Sequence, residues 1–299
     1  MKISFLLLLL LCFRVSFAQV ATRSAIDNIK SARDIEALVR QIDSQGTYKY
    51  LTVSDTLSIR NKHCKCEARK RGVKPWIKAD FDKNGYNDLL FIGDENRQDV
   101  MYVMAYPNAV LTLDKLNYGR KYCSLPWVIE KHNSLIIRLV TFERKFGGTL
   151  GKLRKYNLKY AFGGFVEDRR KASEELITSV ALEFFFSYTD NVKINIRVVS
   201  DGRAYYKKTA DEVAEEMTAV LSTGSYNELV DLLNYIGFNR LKKEYGQVRN
   251  HQPSYSLIIE YGGGTKDIYD QGGEGSLGLE LVYKKLLALR DTEKWQSVP

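Results

Sequence analysis

Val192-Lys193-Ile194-Asn195-Ile196-Arg197-Val198-Val199-Ser200-Asp201-Gly202-Arg203-Ala204-Tyr205-Tyr206 carries a complete hairpin signal. Val192 to Val199 reads as a strand of β-branched residues among polar ones. Asp201-Gly202 reads as a hairpin turn, and Ala204 to Tyr206 begins the returning strand. Upstream, Ile177 to Tyr188 reads as another strand. Downstream the pattern changes to helical spacing. Thr209 with Glu212 opens one helix striped by Val213, Met217, Val220 and Leu221, which Gly224 stops. Ser225 with Glu228 opens a second, with Leu229, Leu232, Leu233 and Ile236 inward and Gly237 at its end. A second hairpin follows, Tyr255 to Tyr261 and Thr265 to Tyr269 about Gly262 to Gly264. The last helix carries Leu279, Val282, Leu286 and Leu289. Residues 172–296 therefore predict an α+β module of order ββ-αα-ββ-α, an antiparallel sheet with helices on one face.

Outward toward the start, residues 22–166 predict a β-rich module. Ser31 with Asp34 caps a helix over Ile35, Leu38, Val39 and Ile42, and Tyr48 to Arg60 alternates like a strand. Residues 61–74 read as a basic loop around His63-Cys64-Lys65-Cys66. Apolar runs at Trp76 to Ala79, Leu89 to Ile92, Val100 to Tyr106, Ala109 to Leu113, Trp127 to Ile129, Leu135 to Phe142 and Tyr156 to Phe165 predict strands. The polar run Glu167 to Glu175 is the expected boundary between the modules.

The first eighteen residues have the form of a cleavable signal peptide. Lys2 precedes an unbroken apolar run from Phe5 to Phe13, and Ser16 and Ala18 are the small residues before a cut. A run this short does not span a bilayer, which takes about 20 apolar residues. Residues 1–18 thus predict export, to the periplasm or beyond, and no later stretch reads as a transmembrane span.

The sharpest motif is Asp80-Phe81-Asp82-Lys83-Asn84-Gly85-Tyr86-Asn87-Asp88. Oxygen-bearing side chains stand at loop positions 1, 3, 5 and 9, with glycine at 6 where a calcium loop turns sharply. Asp80, Asp82, Asn84 and Asp88, with the Tyr86 backbone carbonyl, are the candidate ligands of a structural Ca²⁺. Phe91 stands at position 12 where an EF-hand has Glu, and the flanks are strand-like. Ala79 to Leu90 instead resembles the strand–loop–strand calcium repeats of the FG-GAP and integrin-propeller type. That resemblance implies a metal that clips a hairpin and does no chemistry. A single copy is present, so no propeller is implied.

Three cysteines follow the signal: Cys64, Cys66 and Cys123. In an oxidising compartment Cys123 is expected to pair with Cys64 or Cys66, leaving one thiol. A zinc or copper site from His63, Cys64, Cys66, Cys123 and His132 is the rival use, at spacings that match no standard zinc pattern. The three histidines, His63, His132 and His251, lie in no hydrolase motif. Gly272-Gly273-Glu274-Gly275-Ser276-Leu277-Gly278 precedes a helix as a phosphate loop does. It lacks the Lys-Ser/Thr ending, and Glu274 repels phosphate, so it reads as a tight turn.

Net charge is +9, concentrated in Tyr118 to Lys171, where thirteen Lys or Arg face four Asp or Glu. Such a stretch attracts polyanions, an envelope polymer being the expected class. No nucleic-acid motif is present.

Val198-Val199-Ser200-Asp201-Gly202-Arg203-Ala204-Tyr205-Tyr206, Ile268-Tyr269-Asp270-Gln271-Gly272, Gly278-Leu279-Glu280-Leu281-Val282-Tyr283 and Trp295 together resemble a family of domains of unknown function. The family is common in exported proteins of the Bacteroidota, and the resemblance covers about residues 172–296. Many members carry Cys-Phe-Gly-x-Cys-Pro at the start of the first hairpin. Tyr188-Thr189-Asp190-Asn191 replaces it here, so no role of those cysteines carries over. The expectation is an exported, monomeric, non-catalytic binding or envelope-associated protein with a structural calcium. The alternative is a hydrolase of cell-envelope polymer whose carboxylate pair assembles only in the fold.

Overall fold

The computed structural model describes residues 24–59, 61–94, 98–116, 121–144, 150–169, 172–186, 191–210, 213–246 and 252–298. The predicted signal peptide, residues 1–18, lies outside them, as does His251.

The first sheet begins behind helix α1, Ala32–Ile42. Ser31 caps that helix by accepting from Asp34 N, and the Asp34 carboxylate accepts from Ser31 N, the reciprocal box the sequence predicts. Strands β1 (Thr52–Val53), β2 (Trp76–Ala79), β3 (Asp88–Asp94), β4 (Gln98–Ala105) and β5 (Leu111–Lys115) follow, all antiparallel. β3 is central and buried, with Leu89, Leu90 and Phe91 at 1 % exposure or less. The predicted strand Tyr48 to Arg60 shrinks to β1. Leu51 turns inward instead and fills the space over Gly93, where a Cβ would lie 2.6 Å from its Cδ1. Arg60 lies outside the described residues.

The basic segment 61–74 is not a loop but helix α2, Lys62–Arg71. The Asn61 side chain caps it by accepting from His63 N and Cys64 N, and left-handed Gly72 ends it. Cys64 and Ala68, one turn apart, are its only buried residues, too narrow a stripe to show as a period.

Strands β6 (Lys121–Lys131), β7 (Ser134–Arg144), β8 (Leu150–Ala161) and β9 (Gly164–Glu167) form a second, four-stranded meander. The predicted strand Tyr156 to Phe165 is in fact a hairpin, because Phe162 and Gly163 both take positive φ and reverse the chain. One face of β7 packs Ile137 and Leu139 toward the first sheet; the other packs Val140 beneath α2.

The C-terminal half is one eight-stranded sheet. Its strands are β10 (Ile177–Phe186), β11 (Val192–Val199), β12 (Arg203–Ala210), β13 (Val213–Val220), β14 (Glu244–Tyr245), β15 (Ser254–Tyr261), β16 (Gly264–Gln271) and β17 (Gln296–Ser297). Their spatial order is β14-β16-β15-β10-β11-β12-β13-β17, antiparallel except for the β14–β16 pair. Helices α3 (Thr223–Ile236) and α4 (Leu277–Thr292) pack Leu232, Leu233, Val282 and Leu286 into its core. An α+β fold is present, but the expected pair of adjacent helices is not. Residues 213–220 pair with β12, Ala210 opposite Val213. Met217, Ala219 and Leu221 face the core at period two, while Val213 and Val220 stand at 73 % and 75 % exposure. The helical stripe was coincidental, since half of it faces solvent.

The two halves share side chains across the polar run. Val166 packs in the C-terminal core, and Leu277 packs with Phe81 and Phe165. Lys284 of α4 reaches Asp114 at 2.7 Å. Among the described residues no helix is long and apolar enough to cross a membrane.

Candidate metal centre

The loop Asp80 to Asn87 joins antiparallel strands β2 and β3, with Ala79 opposite Asp88. Phe81 anchors it. Its side chain is 4 % exposed and meets Phe165 edge-on at 5.4 Å. With Phe81 turned inward, Asp80 and Asp82 project together on the opposite side. Lys83 (φ 63°) and Gly85 (φ 89°) take left-handed angles and wind the chain back toward Asp88. Only the second has the residue type that suits this.

Asp80, Asp82 and Asp88 bring carboxylate oxygens within 4.8 Å of one another. Oxygens this close together can be touched by a single cation. Asp88 is fully buried. Its Oδ2 accepts from Phe81 N at 2.8 Å and its Oδ1 from Ala105 N at 2.9 Å, tying the loop to the end of β4. Asp80 accepts from Asn84 N and Gly85 N, and Asp82 from Asn84 N and Asn84 Nδ2. Asn84 spends its amide on Asp82 Oδ2 and on the Ala105 carbonyl, at 3.0 and 2.7 Å, while its own Oδ1 accepts from Tyr86 N at 2.8 Å. The structure thus gathers the three carboxylates. Asn84 stands beside them with its oxygen engaged within the loop, and the Tyr86 side chain packs against the core shared by α1 and the first sheet.

The electrostatics follow from burial. Desolvation pushes the Asp88 carboxyl up to about 7 against its two N–H donors, and the charges of Asp82 and Asp80 push the same way. Desolvation and then Asp80 raise Asp82 as well. Three acids held this close are relieved by protons or by a cation. Oxygen-only donors suit a hard ion such as Ca²⁺ rather than a soft one. Two further neighbours leave no mark in the linear sequence. Ala105 lends both backbone groups to the loop. Tyr160 of β8 senses Asp82 and Asp88 and shares a 2.7 Å hydrogen bond with the Tyr106 hydroxyl. No local pattern could have placed a residue so distant in sequence beside the loop.

Cys64 and Cys123 form a disulfide that fastens α2 to β6, and Cys66 is an exposed thiol. The zinc or copper alternative does not assemble. Two of its sulfurs are bonded to each other, and the acidic triad is the metal-type cluster among the described residues. At the glycine run, the place a phosphate would take is filled by acids. Asp270 accepts from Glu274 N and Gly275 N, and Glu167 from Leu277 N and Gly278 N, while Ser276 caps α4 through Leu279 N.

Residues 188–290 match a protein family described as a domain of unknown function (DUF6438). The match falls inside the C-terminal region that the sequence assigns to such a family and leaves the metal-type loop outside it. No curated protein and no solved structure matches the chain.

Proposed function

We propose that this chain is an extracytoplasmic, non-catalytic binding or envelope-associated protein whose first sheet is clipped by one structural Ca²⁺. The observation that carries the reading is the convergence of Asp80, Asp82 and Asp88 at a strand–loop–strand turn, with Asp88 buried. A divalent cation there neutralises three acids and holds β2, β3 and the end of β4 together. The Cys64–Cys123 bond is compatible with an oxidising compartment, and the basic stretch Tyr118 to Lys171 is the proposed attachment to a polyanionic envelope polymer. Thermal melting with Ca²⁺ and with a chelator tests the metal. Equal melting under both conditions removes it from the proposal.

One observation keeps the hydrolase reading in view. Glu280 and Asp114 converge on Lys284, and burial pushes the Glu280 carboxyl up to about 7. The space beside them is about 20 Å³, room for a water rather than a sugar. The binding reading therefore stands first. Hydrolysis of a cell-envelope polymer by the wild type, lost in Glu280→Gln, would reverse the order.

A further inference from the structure

A cationic cleft lies on the meander face that α2 leaves uncovered. α2 crosses the end of this face that carries Cys123, Leu125 and Val140, and the disulfide from Cys64 holds it there. Beyond the helix end, Trp127, Arg138 and Asn157 stand directly opposite one another on β6, β7 and β8. Lys155 points to the same side, two residues before Asn157. Arg71, the last residue of α2, lays its guanidinium over the Trp127 ring at 5.4 Å and pairs with Glu67. These groups line a recess of about 390 Å³, within the roughly 300–1,000 Å³ range of small-ligand pockets. Arg138 and Lys155 are exposed, and among the described residues neither has an acidic partner.

The chemistry of the recess is specific. Two unpartnered cations stand a strand apart, a flat wall is built from an indole and a guanidinium, and an amide can donate and accept. We infer that the cleft binds an acidic saccharide unit, its carboxylate or sulfate set between Arg138 and Lys155 and its ring along the Trp127–Arg71 wall. A recess suits a single ring better than a bilayer, which presents a flat surface. The inference rests on the polyanion-binding part of the proposed function and narrows it from a stretch of sequence to one face. It also makes the disulfide part of the site, since α2 brings Arg71 to Trp127.

The full chain would be titrated calorimetrically with four probes: an oligogalacturonate, a sulfated tetrasaccharide, a neutral maltotetraose and a single-stranded oligodeoxynucleotide of matched charge. At least one acidic saccharide should bind and the neutral one should not. Arg138→Ala and Lys155→Ala should each weaken binding about tenfold, the loss of one charge-assisted contact. Lys152→Ala removes the same charge from the opposite face of β8 and should change affinity by less than about twofold. All three sites are exposed, so unchanged melting should accompany the effects. Equal weakening by all three variants would overturn the cleft and leave a diffuse polyanion attraction standing. An oligonucleotide bound as tightly as either acidic saccharide would overturn the saccharide assignment. Binding of none of the probes would overturn both the cleft and the polyanion reading.

Discussion

The Glu167 carboxylate accepts a hydrogen bond from the backbone N–H of Leu277 at 2.9 Å, across 110 residues of chain. Its second oxygen takes Gly278 N at 3.2 Å. The end of β9 thus caps the start of α4, where the helix leaves N–H groups unsatisfied and a partial positive charge. Glu167→Ala should lower stability by about 1–2 kcal/mol, the usual scale for a lost cap. Glu167→Gln should recover part of this, because an amide oxygen still accepts. Urea unfolding of both variants measures it, and an unchanged midpoint in the alanine variant would show that the contact adds nothing.

Calcium should raise the melting temperature. Extracellular calcium modules bind at about 0.1–1 mM. At about 1 mM Ca²⁺ and the tighter end of that range, linkage adds roughly 1.4 kcal/mol. Asp82→Ala should abolish the difference between Ca²⁺ and chelator while leaving a folded protein, because Phe81 still anchors the hairpin. Asp88→Ala should cost about 1–3 kcal/mol even in chelator, since it orphans the N–H groups of Phe81 and Ala105. Calorimetric scans separate the two variants.

Acidity should stabilise the calcium-free protein. Burial raises Glu280 to about 7 and Asp270 to about 6, both above their values in an unfolded chain. Between about pH 4.5 and 7 the folded state then binds more protons than the unfolded one, so stability falls as pH rises through that window. Among the described residues Glu280 Oε2 is buried without a hydrogen-bond partner, so a charge there is poorly solvated. Glu280→Gln should make the profile shallower, Asp88 and Asp270 keeping the rest of the slope, and stabilise the protein near pH 7.5. A variant that follows the wild-type profile throughout would refute the assignment.

Calcium binding should show the opposite trend. Asp88, pushed up to about 7, must lose its proton to serve the ion, so affinity should climb as pH rises from 6 to 8. Titrations at three pH values, each against Mg²⁺ as a control, check the slope; a flat profile argues that Asp88 is not a ligand.

Peptide mapping without reductant should recover Cys64 joined to Cys123 and Cys66 free. Cys123→Ser should cost up to about 4 kcal/mol for a loop of this length, and Cys66→Ser close to nothing. A Cys66–Cys123 bridge would mean a different rotation of α2 about its axis.

Elements whose instructions are local were legible along the linear chain. Asp201-Gly202 specifies a reversal, with Gly202 at positive φ, Ser31 with Asp34 begins a helix, and oxygen side chains at alternate positions before Gly85 shape a loop that gathers its acids. These depend on neighbours a few residues away, which a sequence displays directly. Whatever depends on burial by distant chain was settled only on folding. Residues 213–220 carry apolar spacings that fit a helix, and pairing with β12 made them a strand. Cys64 and Cys66 are equivalent in a linear reading. Only the helical turn of α2 buries Cys64 against Cys123 and leaves Cys66 in solvent. Asp88 reads as one ligand among five, and its raised pKa comes from the burial that only the folded sheet imposes. The Arg71–Trp127 wall joins residues 56 positions apart, and no period or spacing could bring them together before the disulfide and the sheet did.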